Sequence, residues 1–89
     1  MGFSARFEVY GIVQGVGFRA YVQWQAQRLQ LHGWVRNRDD GSVEVLATGA
    51  HEALGQLETV LQQGPRLAQV ERVVRHAAEG SSTTGFHIA

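Results

Sequence analysis

The chain changes its hydrophobic period across Gly11 to Gly17, a seven-residue stretch with three glycines. Before it, from Ala5 to Val13, residues alternate: Phe7 and Val9 face one way and Arg6, Glu8 and Tyr10 the other, the period of a half-buried strand. After it, from about Ala20 to Leu31, glycine and proline vanish, glutamines supply solvated positions, and Val22, Ala26 and Leu29 recur at helical spacing. Glycine at this density suits neither period. A strand, a turn with several unpaired backbone amides and a helix are therefore predicted in that order.

Beyond the helix, Gly33 is read as its stop signal. Trp34-Val35-Arg36-Asn37, then Asp39-Asp40-Gly41, then Ser42 to Ala47 reads as two strands joined by a short hairpin. From Ala50 to Gln63, residues Ala50, Ala53, Leu54, Leu57, Val60 and Leu61 fall on one stripe, an amphipathic helix that stops at Gly64-Pro65 and tolerates Gly55 at a cost of about 1 kcal/mol. Gln69 to Ala77 is rich in valine, with a broken alternation at Val73-Val74 that suggests a bulge. A turn at Glu79-Gly80-Ser81-Ser82 then leads to a final short strand around Phe86 to Ile88.

The predicted architecture is α+β: a ferredoxin-like βαββαβ sandwich, with an antiparallel sheet, two helices on one face and a short extra C-terminal strand at the edge. With 89 residues, 44% of them hydrophobic, there is apolar material for one core and no room for two, so residues 1–89 are expected to form one domain. Many unrelated functions share this fold, so function has to be argued from the residues.

Cysteine is absent, which excludes disulfides, thiolate nucleophiles and cysteine-held metals and is compatible with a reducing compartment. The first residues lack the basic start and apolar run of a signal peptide, and no stretch approaches the ~20 apolar residues that span a bilayer. A soluble, cytoplasmic protein without a membrane partner is expected. Eight arginines offset eight acidic residues, with no lysine. Nucleic-acid binders usually carry a basic excess, so nucleic acid is not expected as a partner. Genomic bias and a stability adaptation explain the all-arginine cations equally. The small size and polar helix faces suit a monomer.

Joining a strand to a helix, the loop Gly11-Ile12-Val13-Gln14-Gly15-Val16-Gly17-Phe18 can converge its amides on the positive end of the helix dipole, and Arg19 at the helix mouth can add a two-pronged contact to phosphate oxygens. The same spacing also suits a tight turn whose arginine pairs with a surface carboxylate, and spacing does not choose between them. The Gly-Lys-Ser/Thr ending of a nucleotide-binding loop and the Gly-x-Gly-x-x-Gly of a dinucleotide site are both missing, so ATP and NAD are poor guesses.

Val9-x-Gly11-x-Val13-Gln14-Gly15-Val16-x-Phe18-Arg19 resembles the first acylphosphatase signature at every specified position. Gly33-Trp34-Val35-Arg36-Asn37, followed by Gly41-x-Val43 and Gly49, resembles the second. The resemblance implies a metal-independent hydrolase without cofactors, which converts a small-molecule acyl phosphate to a carboxylate and inorganic phosphate. It also implies that Arg19 and the backbone amides of Gly15, Val16, Gly17 and Phe18 bind the phosphate and that Asn37 holds the attacking water. Arg38 departs from the threonine that many animal members carry at that position, so a hydroxyl beside Asn37 is missing.

The chemistry suits so short a list of groups. An acyl phosphate releases a carboxylate whose conjugate acid has a pKa near ~4, so no general acid is required. Phosphoryl transfer is then mainly positioning and electrostatics. An asparagine is too weak a base for the water, and a phosphate oxygen of the substrate is the alternative proton acceptor.

Other residues are set aside on spacing. His32, His51, His76 and His87 show no paired ligand spacing, and no metal is expected. Asp39 and Asp40 fit turn chemistry rather than a catalytic pair. Trp24 and Trp34 are read as packing residues, since the RNA-recognition aromatic motif is missing. Arg36 and Arg38 flank Asn37, where attraction of anionic substrate and strand-edge solubility are equal explanations. Two rivals carry over: an anion-binding module without turnover, and a nucleic-acid-binding domain of the same fold.

Overall fold

The computed structural model describes residues 2–80 and 83–89. The elements run β1 (Phe3–Ile12), α1 (Phe18–Arg28), β2 (His32–Asn37), β3 (Val43–Gly49), α2 (His51–Gln63), β4 (Gln69–Ala77) and β5 (Phe86–Ile88). Of the expected turn from Glu79 to Ser82, Ser81 and Ser82 lie outside the described residues.

Pairing gives the strand order β4-β1-β3-β2-β5. The first four strands are antiparallel, as the hairpin and alternation patterns require. The added β5 lies against β2 in parallel, with Gly33, Trp34 and Val35 opposite Phe86, His87 and Ile88, so the five-stranded sheet is mixed. The crossover from β1 through α1 leaves the gap that β3 fills, and the crossover from β3 through α2 returns to β4 at the opposite edge.

Period decides what is buried. Phe7 and Val9 of β1, Val35 of β2, Val43, Val45 and Ala47 of β3 and Phe86 of β5 point into one cluster. There they meet Phe18, Val22 and Ala26 of α1 and Leu54, Leu57 and Leu61 of α2. α1 covers β2 and β5 while α2 covers β1, β3 and β4, so both helices sit on one face of the sheet. The other face carries the alternate residues, including Arg6, Glu8 and Tyr10 of β1 and Glu44 of β3.

Two local readings are corrected. Gly33 does not end α1: the helix stops at Arg28, and Gln30 takes the left-handed conformation (φ 59°) that turns the chain. Gly33 lies inside β2 at φ 143°, where a Cβ would stand 1.9 Å from the Leu46 carbonyl oxygen on β3. It is glycine because neighbouring backbone occupies the side-chain space. The irregularity in β4 falls at Glu71, not at Val73-Val74: the register shifts between Tyr10 and Gly11, opposite Arg72 and Val70, while Val73 and Val74 pair regularly with Val9 and Glu8. Gly64 does end α2, its amide bonding the Val60 carbonyl at 3.0 Å.

Candidate active site

The Gly15–Gly17 turn projects from the end of β1 onto the first turn of α1. Gly15 and Gly17 hold φ of 75° and 78°, and a Cβ on either would meet no protein atom within 4 Å. Their side-chain space opens away from the fold. Gly17 is also the N-cap residue of α1, so no side chain caps the helix, and no acidic residue stands in its first turn. Most helices satisfy their leading amides with such groups. Here, among the described residues, no hydrogen bond occupies the amides of Gly15, Val16 and Gly17, and the positive end of the helix is left uncompensated.

Arg19, the second residue of α1, is half-buried and has no hydrogen bond or ion pair among the described residues. The alternative in which it pairs with a surface carboxylate is therefore not the arrangement observed. Asn37 ends β2, paired with Val43 across the ladder. It shares the strand parity of the buried Val35, which places its side chain on the helix-covered side of the sheet, where it is exposed. Arg19, Asn37, Gly15, Gly17 and Phe18 line one cavity of about 200 Å³, completed by Val13, Ala20 and Ile88. Val16 does not line it: its side chain packs against the core, leaving its amide as its contribution.

Gln14 is a residue whose role was not apparent from sequence. Its Nε2 donates to the Arg38 carbonyl at 2.8 Å and to the Ser42 carbonyl at 2.9 Å, tying the glycine loop to the turn that follows Asn37. It is the only long polar side chain in the loop, which is a usable signal, but its acceptors lie 24 and 28 residues away. Ile88 was likewise hidden, because β5 reaches the site only through its pairing with β2.

The flanking arginines are both engaged by carboxylates. Arg36 points to the opposite side of the sheet and pairs with Glu44 at 2.7 Å, while Arg38 pairs with Glu8 at 3.0 Å. Glu8 is held at a pKa of about 2 against its ordinary 4.5, chiefly by the Arg6 hydrogen bond and then by Arg38. Asp40 accepts from the Ser42 amide at 2.9 Å and from the Ser42 hydroxyl, which is turn chemistry.

The aromatics divide. Trp34 is half-buried beneath Arg36, whose guanidinium carbon lies 5.0 Å from the ring centroid. Trp24 is 61% exposed and so is not a packing residue. The histidines are scattered: His32 accepts from the Gly85 amide, His51 meets the Phe3 ring edge-on, His76 lies 3.3 Å from Glu8 and His87 is 2.7 Å from the Thr84 carbonyl. Among the described residues no three His, Asp or Glu side chains converge, and no helix is long and apolar enough to cross a membrane.

Comparison with known proteins gives one result by three routes. The acylphosphatase family profile matches residues 5–88. An acylphosphatase of Pasteurella multocida (strain Pm70) is 50% identical over 84 residues, covering 93% of each chain. The crystal structure of acylphosphatase from Bacillus subtilis superposes with a TM-score of 0.93 at 38% identity, covering 100% of this chain and 99% of that one. An acylphosphatase structure from Coxiella burnetii gives 0.95 at 34% identity, covering 99% and 93%.

Proposed function

This chain belongs to the acylphosphatase family and is a hydrolase of acyl phosphates, and from that premise we propose how its residues perform the reaction. Arg19 and the amides of Gly15, Val16, Gly17 and Phe18 hold the phosphate of the substrate, and the Asn37 carboxamide holds the attacking water in line with the bond that breaks. The observation that carries this reading is the unpartnered Arg19 beside an uncapped helix start, in one cavity with Asn37.

In the reaction, water oxygen attacks phosphorus while the bond from phosphorus to the acyl oxygen breaks, and its electron pair leaves on the carboxylate. The conjugate acid of that carboxylate has a pKa near ~4, so departure needs no proton. The water proton passes to a non-bridging phosphate oxygen, because Asn37 has no basic atom to take it. Inorganic phosphate and a carboxylate are released. The protein supplies geometry and positive charge, which act strongly because they are preorganised.

Hydrolysis of benzoyl phosphate, followed by its ultraviolet absorbance, tests the assignment. Turnover is expected to persist in EDTA and to fall at least about 100-fold in Arg19→Ala, the scale on which a single preorganised oxyanion donor acts, and to fall comparably in Asn37→Ala. Phosphate binding by a folded wild type without turnover would leave the anion-binding module instead. Arg19→Lys is not expected to recover activity, since the charge survives but the planar fork does not; near-normal rates in that variant would count against two-pronged binding.

The same reading places the protein in the cytoplasm as a monomer, with the acyl phosphate as its partner rather than nucleic acid or membrane. The neutral net charge and lack of cysteine support this, and light scattering together with a low-salt gel-shift experiment checks it.

A further inference from the structure

Asn37 is the last residue of its strand, and what holds it beyond the ladder passes through the next residue. The Arg38 amide donates to the Ser42 carbonyl at 2.9 Å, and the Arg38 carbonyl accepts from the Gly41 amide at 3.1 Å and from Gln14 Nε2 at 2.8 Å. Its side chain reaches the opposite face of the sheet. There Nη1 donates to Glu8 Oε2 at 3.0 Å, with Nη2 3.9 Å from Asp40 Oδ2. Glu8 belongs to β1, and β3 lies between β1 and β2, so this contact crosses an entire strand.

Glu8 is in turn held by four donors or near neighbours: Arg38, Arg6 at 2.9 Å, the Tyr10 hydroxyl at 3.1 Å and His76 at 3.3 Å. The Glu8 side chain is only 16% exposed and that of Arg38 31%, so the pair is less screened than one in open solvent. The turn closes on itself through the Arg38–Ser42, Gly41–Arg38 and Asp40–Ser42 hydrogen bonds, but Asp39, Asp40 and Gly41 are all exposed and bury no apolar side chain against the rest of the fold. Polar ties must set its orientation, and there is one on each face of the sheet: Gln14 on the site side and Glu8 on the far side. With only one of them the turn is held from one face of the sheet alone.

We propose that Arg38 is a positioning residue for the hydrolysis: its ion pair with Glu8 locks the turn after β2 and so sets the angle at which Asn37 presents its carboxamide to the attacking water. This rests on the assignment of that water to Asn37. It also means that a carboxylate on the far face of the sheet governs the turnover step while leaving phosphate binding, the task of Arg19 and the loop, alone.

The experiment compares Arg38→Met, Glu8→Gln, the double variant and Asn37→Ala, reading kcat for benzoyl phosphate, the inhibition constant of inorganic phosphate and the urea midpoint of each. Each single variant is expected to lower kcat about 10-fold, the scale of a sub-ångström misplacement, with phosphate inhibition changed by less than about 2-fold. The double variant is expected to be no slower than the slower single one, since both break the same tie. Folded singles with wild-type kcat and a lowered urea midpoint would overturn the proposal, leaving the pair a stabilising contact only. Phosphate inhibition weakened in step with kcat would also overturn it, because the pair would then be holding the glycine loop. If Asn37→Ala turns over like the wild type, the assignment of water to Asn37 fails instead, and that result is separate from either outcome for Arg38.

Discussion

At Gly17 a methyl group would touch no protein atom, yet the residue holds φ of 78° and lines the cavity shared by Arg19 and Asn37. Two costs follow from replacing it, and they separate experimentally. The left-handed backbone costs a residue with a Cβ about 1 kcal/mol, a loss of stability. The methyl group itself would occupy space that no neighbouring protein atom fills, which is where the proposed mechanism puts the phosphate. Gly17→Ala is therefore expected to lower the melting temperature by only about 5 °C while weakening inhibition by inorganic phosphate about 10-fold or more. Equal phosphate affinity in the two proteins would remove the loop from the binding site. An arginine at the mouth of a helix after a glycine loop was legible along the chain, but not that it is left without a carboxylate, since the spacing suits a surface ion pair equally. The role of Gln14 was not legible, because a side-chain amide announces nothing about acceptors beyond the next helix, and Arg38 suited attraction of anionic substrate and strand-edge solubility equally until the sheet order placed Glu8 within its reach.

For whole elements, period together with turn residues and β-branched composition was enough to locate all seven, since each packs one face or one stripe against the same core. What period could not supply was their ends and irregularities, which depend on partners. Gly33 carries the composition of a helix stop, but its place in β2 opposite Ala47 leaves room only for hydrogen, with the Leu46 carbonyl where a side chain would begin. Likewise the bulge sits where Tyr10 and Gly11 change register against β4, a property of two strands that the valine pattern of one does not contain. The parallel pairing of β5 with β2 is also a long-range property, yet it brings Ile88 to the cavity. Because Gly33 is pressed between β3 and the β5 entry, where its amide bonds the Gly85 carbonyl at 2.9 Å, Gly33→Ala is expected to cost about 2–4 kcal/mol in urea unfolding. A loss of only a few tenths of a kcal/mol would mean that β2 and β3 can separate freely at this point.

Across the molecule the charges balance, eight against eight, but they are distributed unevenly. The far face of the sheet joins Arg6, Glu8, Arg38, Glu44 and Arg36 in one chain of ion pairs, while Arg19 on the site side has no carboxylate among the described residues. The contribution of the far-face ion pairs to stability can be isolated by pH. Glu8 is faced by Arg6 and Tyr10 of its own strand, by Arg38 after β2 and by His76 of β4, and its pKa is lowered to about 2 from 4.5. A carboxylate whose folded pKa is depressed contributes stability that is present above its unfolded pKa and is lost as pH falls through the folded one. That window runs from about 4.5 down to about 2. Other carboxylates titrate there too, so the informative quantity is the stability of the wild type minus that of Glu8→Gln, measured by urea unfolding at a series of pH values. The difference is expected to favour the wild type at neutral pH, to hold constant down to about pH 5, and to shrink progressively between there and pH 2 as the charge that binds Arg6 and Arg38 disappears. A difference that stayed level through that range would show that packing of the Glu8 side chain, rather than its charge, is what the sheet uses.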